Sequence, residues 1–182
     1  MTNYIYEEHL QSDRLVTRKL TENDITTWAS FFEDKDATEF LFLSSLGLNS
    51  SFEFATHMIK KQLERYADKR FGHQALIDKK TKKFIGLCGL LTQKIDGNQE
   101  IEVGYHIFKE FWGQGYAPEA ARIFIDYAFK NNLTPSIVSI IDLENKKSQR
   151  VAEKNGLTID KQTKYLDNED VYIYRIEKDR WK

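Results

Sequence analysis

The run Phe111-Trp112-Gly113-Gln114-Gly115-Tyr116-Ala117-Pro118-Glu119-Ala120 constrains this chain more than any other stretch, because two glycines and an alanine separate an alternating apolar segment from an amphipathic helical one. Glycine takes positive φ without a steric cost and lets backbone approach a ligand, so successive N–H groups can converge on an anion at the positive end of a helix. Pro118 fits a first helical turn, where its missing donor costs nothing. Downstream, Ala121, Phe124, Ile125 and Ala128 recur at helical spacing, and Asn131-Asn132 with Pro135 end the segment. This is the chemistry of a phosphate cradle, although an ordinary strand-to-helix turn can read the same way.

Two nucleotide motifs can be tested on these residues. A Walker loop ends in Gly-Lys-Ser/Thr, whereas Gly115 is followed by Tyr116-Ala117-Pro118. A dinucleotide fingerprint needs a third small residue where Pro118 sits, with an acidic partner about 20 residues on. Neither fits, and a phosphate-binding kinase or NTPase also lacks its lysine.

With 182 residues and 41% apolar content, the chain is expected to form one domain over residues 1–182, residues 1–11 being a loosely ordered N-terminal extension. A net charge of -1 argues against direct nucleic-acid binding. No apolar run approaches the roughly 20 residues of a membrane span, and Met1 to Leu10 lacks a signal peptide's core. A cytoplasmic protein without a membrane partner is expected, as a monomer or homodimer. The single Cys88 stands in the strand-like run Phe84 to Leu91 and reads as a buried thiol rather than a nucleophile. His9, His57, His73 and His106 show no zinc-ligand spacing, so no metal is expected.

The element pattern is α/β and α+β-like. Leu15 to Leu20 reads as a strand; Thr21 and Asp24 approximate a capping box before Ile25, Trp28 and Phe32 at helical spacing. A helix is expected from about Ser51 to Tyr66. Strands follow over Phe71 to Asp78, Phe84 to Leu91 and Glu100 to Phe108, joined at Lys79 to Lys83 and Asp96-Gly97-Asn98. After the helix from Pro118 to Asn131 come a strand from Ile137 to Leu143, a helix from Asn145 to a stop at Asn155-Gly156, and a closing strand in which Tyr172, Tyr174 and Ile176 alternate. The middle strands predict an antiparallel meander, and the unit around Gly113 predicts parallel neighbours with the ligand at the loop end.

The glycine loop resembles the pyrophosphate loop of the GNAT acetyltransferases, whose pattern Arg/Gln-x-x-Gly-x-Gly/Ala is matched by Gly115 and Ala117, with Trp112 in place of the first Arg/Gln. The ribosomal-protein N-terminal acetyltransferase branch often carries Trp-Gly-x-Gly-Tyr-Ala-x-Glu-Ala, as here. The resemblance runs from Ser12 onward: Ser12 to Leu20 is similar to the family's opening strand, Glu102-Val103-Gly104-Tyr105 to its fourth, and Asn145 to Leu157 to its Asn-x-x-Ser helix. It implies a mixed, mostly antiparallel sheet flanked by helices in one GNAT-type domain, acetyl-CoA as co-substrate, and transfer of an acetyl group to a primary amine by direct attack in a ternary complex. It places the cofactor against the amides of Gly113, Gln114, Gly115, Tyr116 and Ala117, against Ile107 and Phe108 on the preceding strand, and against Asn145, which also reads as a helix N-cap.

Acyl transfer needs a base or positioning group for the amine and a donor for oxyanion and thiolate. In a regular strand Glu102, Gly104, His106 and Phe108 share one face, so Glu102 and His106 flank a gap; a bulge would break this parity. Glu102, which matches the acidic residue before the family's Gly-Tyr pair, is the candidate base, with an ordinary strand carboxylate as the alternative. His106 is a second candidate, with a structural imidazole as its alternative. Ala152 occupies the position where many members carry a tyrosine acid, and Ser148 is the expected replacement; a serine there can also serve as a cap.

The acceptor is less constrained. Roughly a tenth of an α-amine is uncharged at neutral pH, against well under a thousandth of a lysine. The resemblance favours a protein N-terminus; small-molecule amines remain open, and Phe40-Leu41-Phe42-Leu43 with the following loop could line either. A catalytically silent acyl-CoA-binding or interaction domain is the alternative reading, supported by the missing tyrosine.

Overall fold

The computed structural model describes residues 7–41, 43–166 and 169–182. Seven strands, β1 (Leu15–Arg18), β2 (His73–Asp78), β3 (Phe84–Ile95), β4 (Asn98–Ile107), β5 (Ser136–Asp142), β6 (Thr158–Tyr165) and β7 (Glu169–Glu177), form one sheet in the order β1-β2-β3-β4-β5-β7-β6. Five helices accompany it: α1 (Ile25–Ala29), α2 (Lys35–Thr38), α3 (Ser51–Ala67), α4 (Tyr116–Lys130) and α5 (Lys146–Lys154). Every strand pairing is antiparallel except that of β4 with β5. This is the expected mixed, mostly antiparallel sheet flanked by helices.

Local chemistry sets the turns and caps. Asp96 and Gly97 both take positive φ, 47° and 85°, the backbone of a two-residue hairpin turn whose twist suits the β3–β4 pair. At the β2–β3 turn Asp78 Oδ1 accepts from the amides of Lys80 and Thr81 and from the Thr81 hydroxyl. Ser50 accepts from the Glu53 amide while the Glu53 carboxylate accepts from that of Ser50, closing a capping box on α3. The expected box at Thr21 and Asp24 is also present.

Strand alternation divides the core between the two faces of the sheet. Leu76, Cys88, Leu90 and Val103 pack with Ala121, Phe124 and Ala128 of α4. Ala75 and Leu87 pack instead with Trp28 of α1 and with Ala55 and Ile59 of α3. Among the described residues no helix is long and apolar enough to cross a membrane.

Several boundaries differ from the sequence reading. β1 ends at Arg18, whose guanidinium grips Asp24 at 2.7 and 2.8 Å and turns the chain before Leu20. The first helical stretch is split, α1 giving way to a 3-10 turn over Ser30–Glu33. β3 runs on to Ile95 because Thr92, Gln93 and Lys94 pair opposite Ile101, Glu100 and Gln99, a polar extension without an apolar signal. β6 was absent from the pattern; it is an edge strand whose mostly exposed polar residues pair only with β7. Residues His9 and Leu10 at the end of the expected extension bond to Thr17 of β1.

Candidate functional site

β4 and β5 meet in register only at Glu102 and Val138. Beyond that point Ser139 Oγ donates to the Val103 carbonyl at 2.9 Å, and the two strands part. A cleft of 590 Å³ opens there, with the glycine loop and α5 along one arm and Phe31, Phe40, Leu41 and Leu91 around the other.

The loop is built by left-handed glycines. Gly113 and Gly115 have φ of 74° and 82°, and Gly115 is the N-cap of α4. A Cβ at Gly113 would meet nothing within 4 Å, and one at Gly115 only the Arg14 guanidinium at 3.4 Å, so conformation rather than space demands glycine here. Tyr116, Ala117 and Pro118 belong to the first turn, where the amides of Tyr116 and Ala117 have no intrahelical acceptor, as an anion-binding helix end requires. Helix α4 thus begins two residues before Pro118, but Pro118 keeps its expected place in the first turn. Gln114 turns away: its side chain donates to the Glu110 carbonyl, and its own carbonyl accepts from Arg14.

From outside, the segment just before β1 braces this loop. Arg14 Nε and NH2 both approach Glu119 Oε2 at 2.6 Å, Ser12 Oγ donates to Glu119 Oε1 at 2.7 Å, and the Arg14 guanidinium lies 4.3 Å from the centre of the Tyr116 ring. Tyr116 in turn donates to Asp78 at 2.9 Å and packs edge-on to Phe111. Its ring is therefore held by structural contacts. Across the cleft, α5 presents Lys147, Arg150 and Lys154, cations suited to a polyanionic ligand. Their i, i+3, i+7 spacing was visible in the sequence but carried no weight without the facing loop.

Asn145 caps α5, its Oδ1 accepting from the Ser148 amide at 3.0 Å, and it lines the cleft as well. Ser148 lines the cleft from the first turn of α5. Its carbonyl accepts from the Tyr105 hydroxyl at 3.0 Å, a contact that the sequence reading missed. Burial pushes the Tyr105 hydroxyl far above its ordinary range, so it is a proton donor that stays protonated. Ala152 is buried in the core beneath.

The β4 register is unbroken from Asn98 to Ile107, so Glu102, Gly104 and His106 do share a face. Phe108 lies outside the strand, which corrects its expected place: its amide donates to Ile85, its carbonyl accepts from Phe111, and its ring packs on Trp28. Ile107 closes β4, and its carbonyl accepts from the Trp112 indole at 2.8 Å. The strand backbone that lines the cleft ends there.

Glu102 sits at the junction of the cleft's arms. Gln93 donates to its carboxylate at 2.6 Å and the Ile140 amide adds a second bond, yet loss of water raises its pKa above the usual carboxylate range. His106 is pushed down to about 4 by burial and is a neutral ring against Phe31 and His73. The carboxylate is thus the better proton acceptor of the two. Among the described residues no group of three or more His, Cys, Asp or Glu is placed to hold a metal ion.

Comparison with known proteins places this architecture. The chain is 44% identical to YkkB of Bacillus subtilis (strain 168) over 80 residues, 44% of this chain and 46% of that protein. It is 29% identical to the uncharacterized N-acetyltransferase YoaA of the same organism over 149 residues, 81% of each. An acetyltransferase structure from Agrobacterium tumefaciens str. C58 superimposes with a TM-score of 0.74 at 26% identity, covering 96% of both chains. RimL, described as a ribosomal L7/L12 alpha-N-protein acetyltransferase in complex with coenzyme A, shares the fold with a TM-score of 0.74 at 17% identity over 94% of this chain and 98% of its own. The model of the acetyltransferase (GNAT) domain matches residues 14–158, from the arginine that braces the loop to the start of β6, and the chain belongs to that family of acyltransferases.

Proposed function

We propose that the protein transfers the acetyl group of acetyl-CoA to a primary amine, with a protein N-terminus as the acceptor. The observation that carries this reading is Glu102, a desolvated carboxylate at the point where β4 and β5 part, between the phosphate cradle and an apolar pocket. The cradle amides with Lys147, Arg150 and Lys154 suit the phosphates of the cofactor. The opening between the strands leads its thioester to Glu102.

In the reaction, the amine lone pair attacks the thioester carbonyl, the C–N bond forms, and the carbonyl oxygen takes the negative charge. Glu102 accepts the proton lost by nitrogen. The C–S bond then breaks, and the sulfur leaves with a proton supplied from the Ser148 side of the cleft. An α-amine needs only a modest base, roughly a tenth of it being free at neutral pH. The names of RimL and of YdaF, a putative ribosomal N-acetyltransferase 36% identical over 72 residues, support the same acceptor class.

The test is thiol release from acetyl-CoA with peptides bearing a free N-terminus, with N-terminally blocked peptides containing lysine, and with small amines. Acetylation confined to the free α-amine supports the proposal. Turnover of small amines alone moves the acceptor to that class. Binding of acetyl-CoA without transfer to any of them supports the silent acyl-CoA-binding alternative, which Ala152 at the usual tyrosine position favours.

A further inference from the structure

Gln93 stands on β3 beside Glu102 of β4. In the β3–β4 ladder Leu91 faces Glu102 and Gln93 faces Glu100, so Gln93 is the diagonal neighbour of Glu102 on the cleft side of the sheet. The apolar run of β3 ends at Leu91, and of the polar continuation Thr92, Gln93 and Lys94 only Gln93 lines the cleft. Its Nε2 donates to Glu102 Oε2 at 2.6 Å, and the Ile140 amide donates to the same carboxylate.

A cation is the ordinary partner of a desolvated carboxylate, and one stands close enough to be felt. Arg65 of α3 favours the charged form of Glu102, yet among the described residues no cation forms an ion pair with that carboxylate. The Arg65 guanidinium approaches the Phe71 carbonyl at 3.5 Å instead, and its Nε has no hydrogen-bond partner among the described residues. Glu102 is thus held by two neutral donors. An arginine fork would hold it as firmly but would fix it as an anion and weaken it as a base; neutral donors orient it and let it take up a proton.

We propose that Gln93 is a positioning residue of this site, its neutral side-chain amide holding the Glu102 carboxylate in the cleft for the attacking amine while leaving it a base. This rests on the acetyl-transfer reading above. The other ionisable groups around Glu102 leave its titration readable. Tyr165 of β6 is pushed up to about 12 and Tyr105 of β4 higher still, His106 is pushed down to about 4, and burial keeps the His73 ring of β2 neutral. β5 brings the Ile140 amide and, two residues on, Asp142.

The test changes the donor by charge. Gln93→Met removes it, Gln93→Glu sets a second carboxylate beside Glu102, and Gln93→Lys supplies a cation. The ¹³C resonance of the Glu102 carboxyl, assigned by its loss in Glu102→Gln, is titrated in the free protein, and kcat and KM are measured with a peptide acceptor over the same pH range. One hydrogen bond to a charged group corresponds to a shift of about one to two pH units. The Glu102 midpoint is expected to rise by that amount in Gln93→Met, to rise further for the coupled pair in Gln93→Glu, and to fall below wild type in Gln93→Lys. At neutral pH kcat falls in all three, while KM for acetyl-CoA holds. An unmoved midpoint in the folded variants overturns the proposal, and so does a loss of kcat at every pH without the ordered shift, the mark of a merely structural side chain. If Gln93→Met does not fold, the opposed shifts of Gln93→Glu and Gln93→Lys decide the question. An ordered shift in a protein that transfers acetyl to no amine keeps the hold of Gln93 on Glu102 and overturns the acetyl-transfer reading instead.

Discussion

Arg14 and Glu119, 105 residues apart in sequence, meet through two contacts of 2.6 Å and tie the first turn of α4 to the residue that precedes β1. Arg14 also holds the Gln114 carbonyl at 2.9 Å, so one side chain fixes both sides of Gly115. The pair is partly exposed, and such pairs add at most about 1 kcal/mol to stability. Its consequence lies in loop geometry. Arg14→Gln is expected to weaken acetyl-CoA binding about fivefold to tenfold, roughly 1 to 1.4 kcal/mol, with only a small change in Tm. Calorimetry with thermal melts checks this; a lowered Tm with unchanged affinity contradicts it.

Gly115 gives a sharper test of the cradle, because its φ of 82° strains any side chain although little stands nearby. Gly115→Val should cost about 1–3 kcal/mol of backbone strain. Relieving that strain moves the amides, so acetyl-CoA affinity should fall beyond the loss in stability. Unchanged affinity in a folded variant rules out a backbone cradle.

Removing the base should alter a pH profile rather than only a rate. Glu102→Gln keeps the Gln93 neighbour but cannot accept a proton, so turnover should fall most below the amine's own pKa and recover partly at high pH, where free amine needs no base. The rise of the wild-type profile should lie above the ordinary glutamate range, because desolvation raises the Glu102 pKa. A variant with the wild-type profile transfers the role elsewhere.

Ser148 and Tyr105 can be told apart as donors to the departing sulfur. Ser148→Ala should reduce kcat more than acetyl-CoA affinity, by a few kcal/mol of barrier at most, as about one donor is lost. Tyr105→Phe removes the bond to the Ser148 carbonyl and should act only by letting α5 shift. If Tyr105→Phe instead causes the larger kcat loss with α5 unmoved, the tyrosine is the acid.

His106 should set part of the acid limit of stability. Its folded pKa of about 4 lies below the unfolded value near 6.5, so the unfolded chain takes up the extra proton. Its contribution is intact above 6.5 and is lost as pH falls toward 4, on the order of 3 kcal/mol. In denaturant titrations across that range, the stability of the wild type should fall relative to that of His106→Phe as pH drops. Parallel curves would place the titration elsewhere.

The loop, the β4 face and the α5 cap were legible because each is encoded locally: two glycines before a helix, strict alternation, and Asn three residues before Ser148. Arg14 and Tyr105 were not, since their roles depend on which segments the fold makes neighbours. β6 was hidden for another reason, its exposed residues carrying no apolar period.

With Glu102 and Val138 as its single register match, the β4–β5 pairing is the thinnest backbone link in the sheet, between the antiparallel runs β1 to β4 and β5, β7 and β6. Each half is a run of antiparallel ladders, and each can open as its own cooperative unit. Acetyl-CoA bound between them, as proposed above, would bridge the halves and suppress their separate opening. In amide exchange, protection of β5 and β7 should therefore rise with acetyl-CoA until both halves exchange at one common rate, so that the substrate supplies the cohesion that the backbone leaves out.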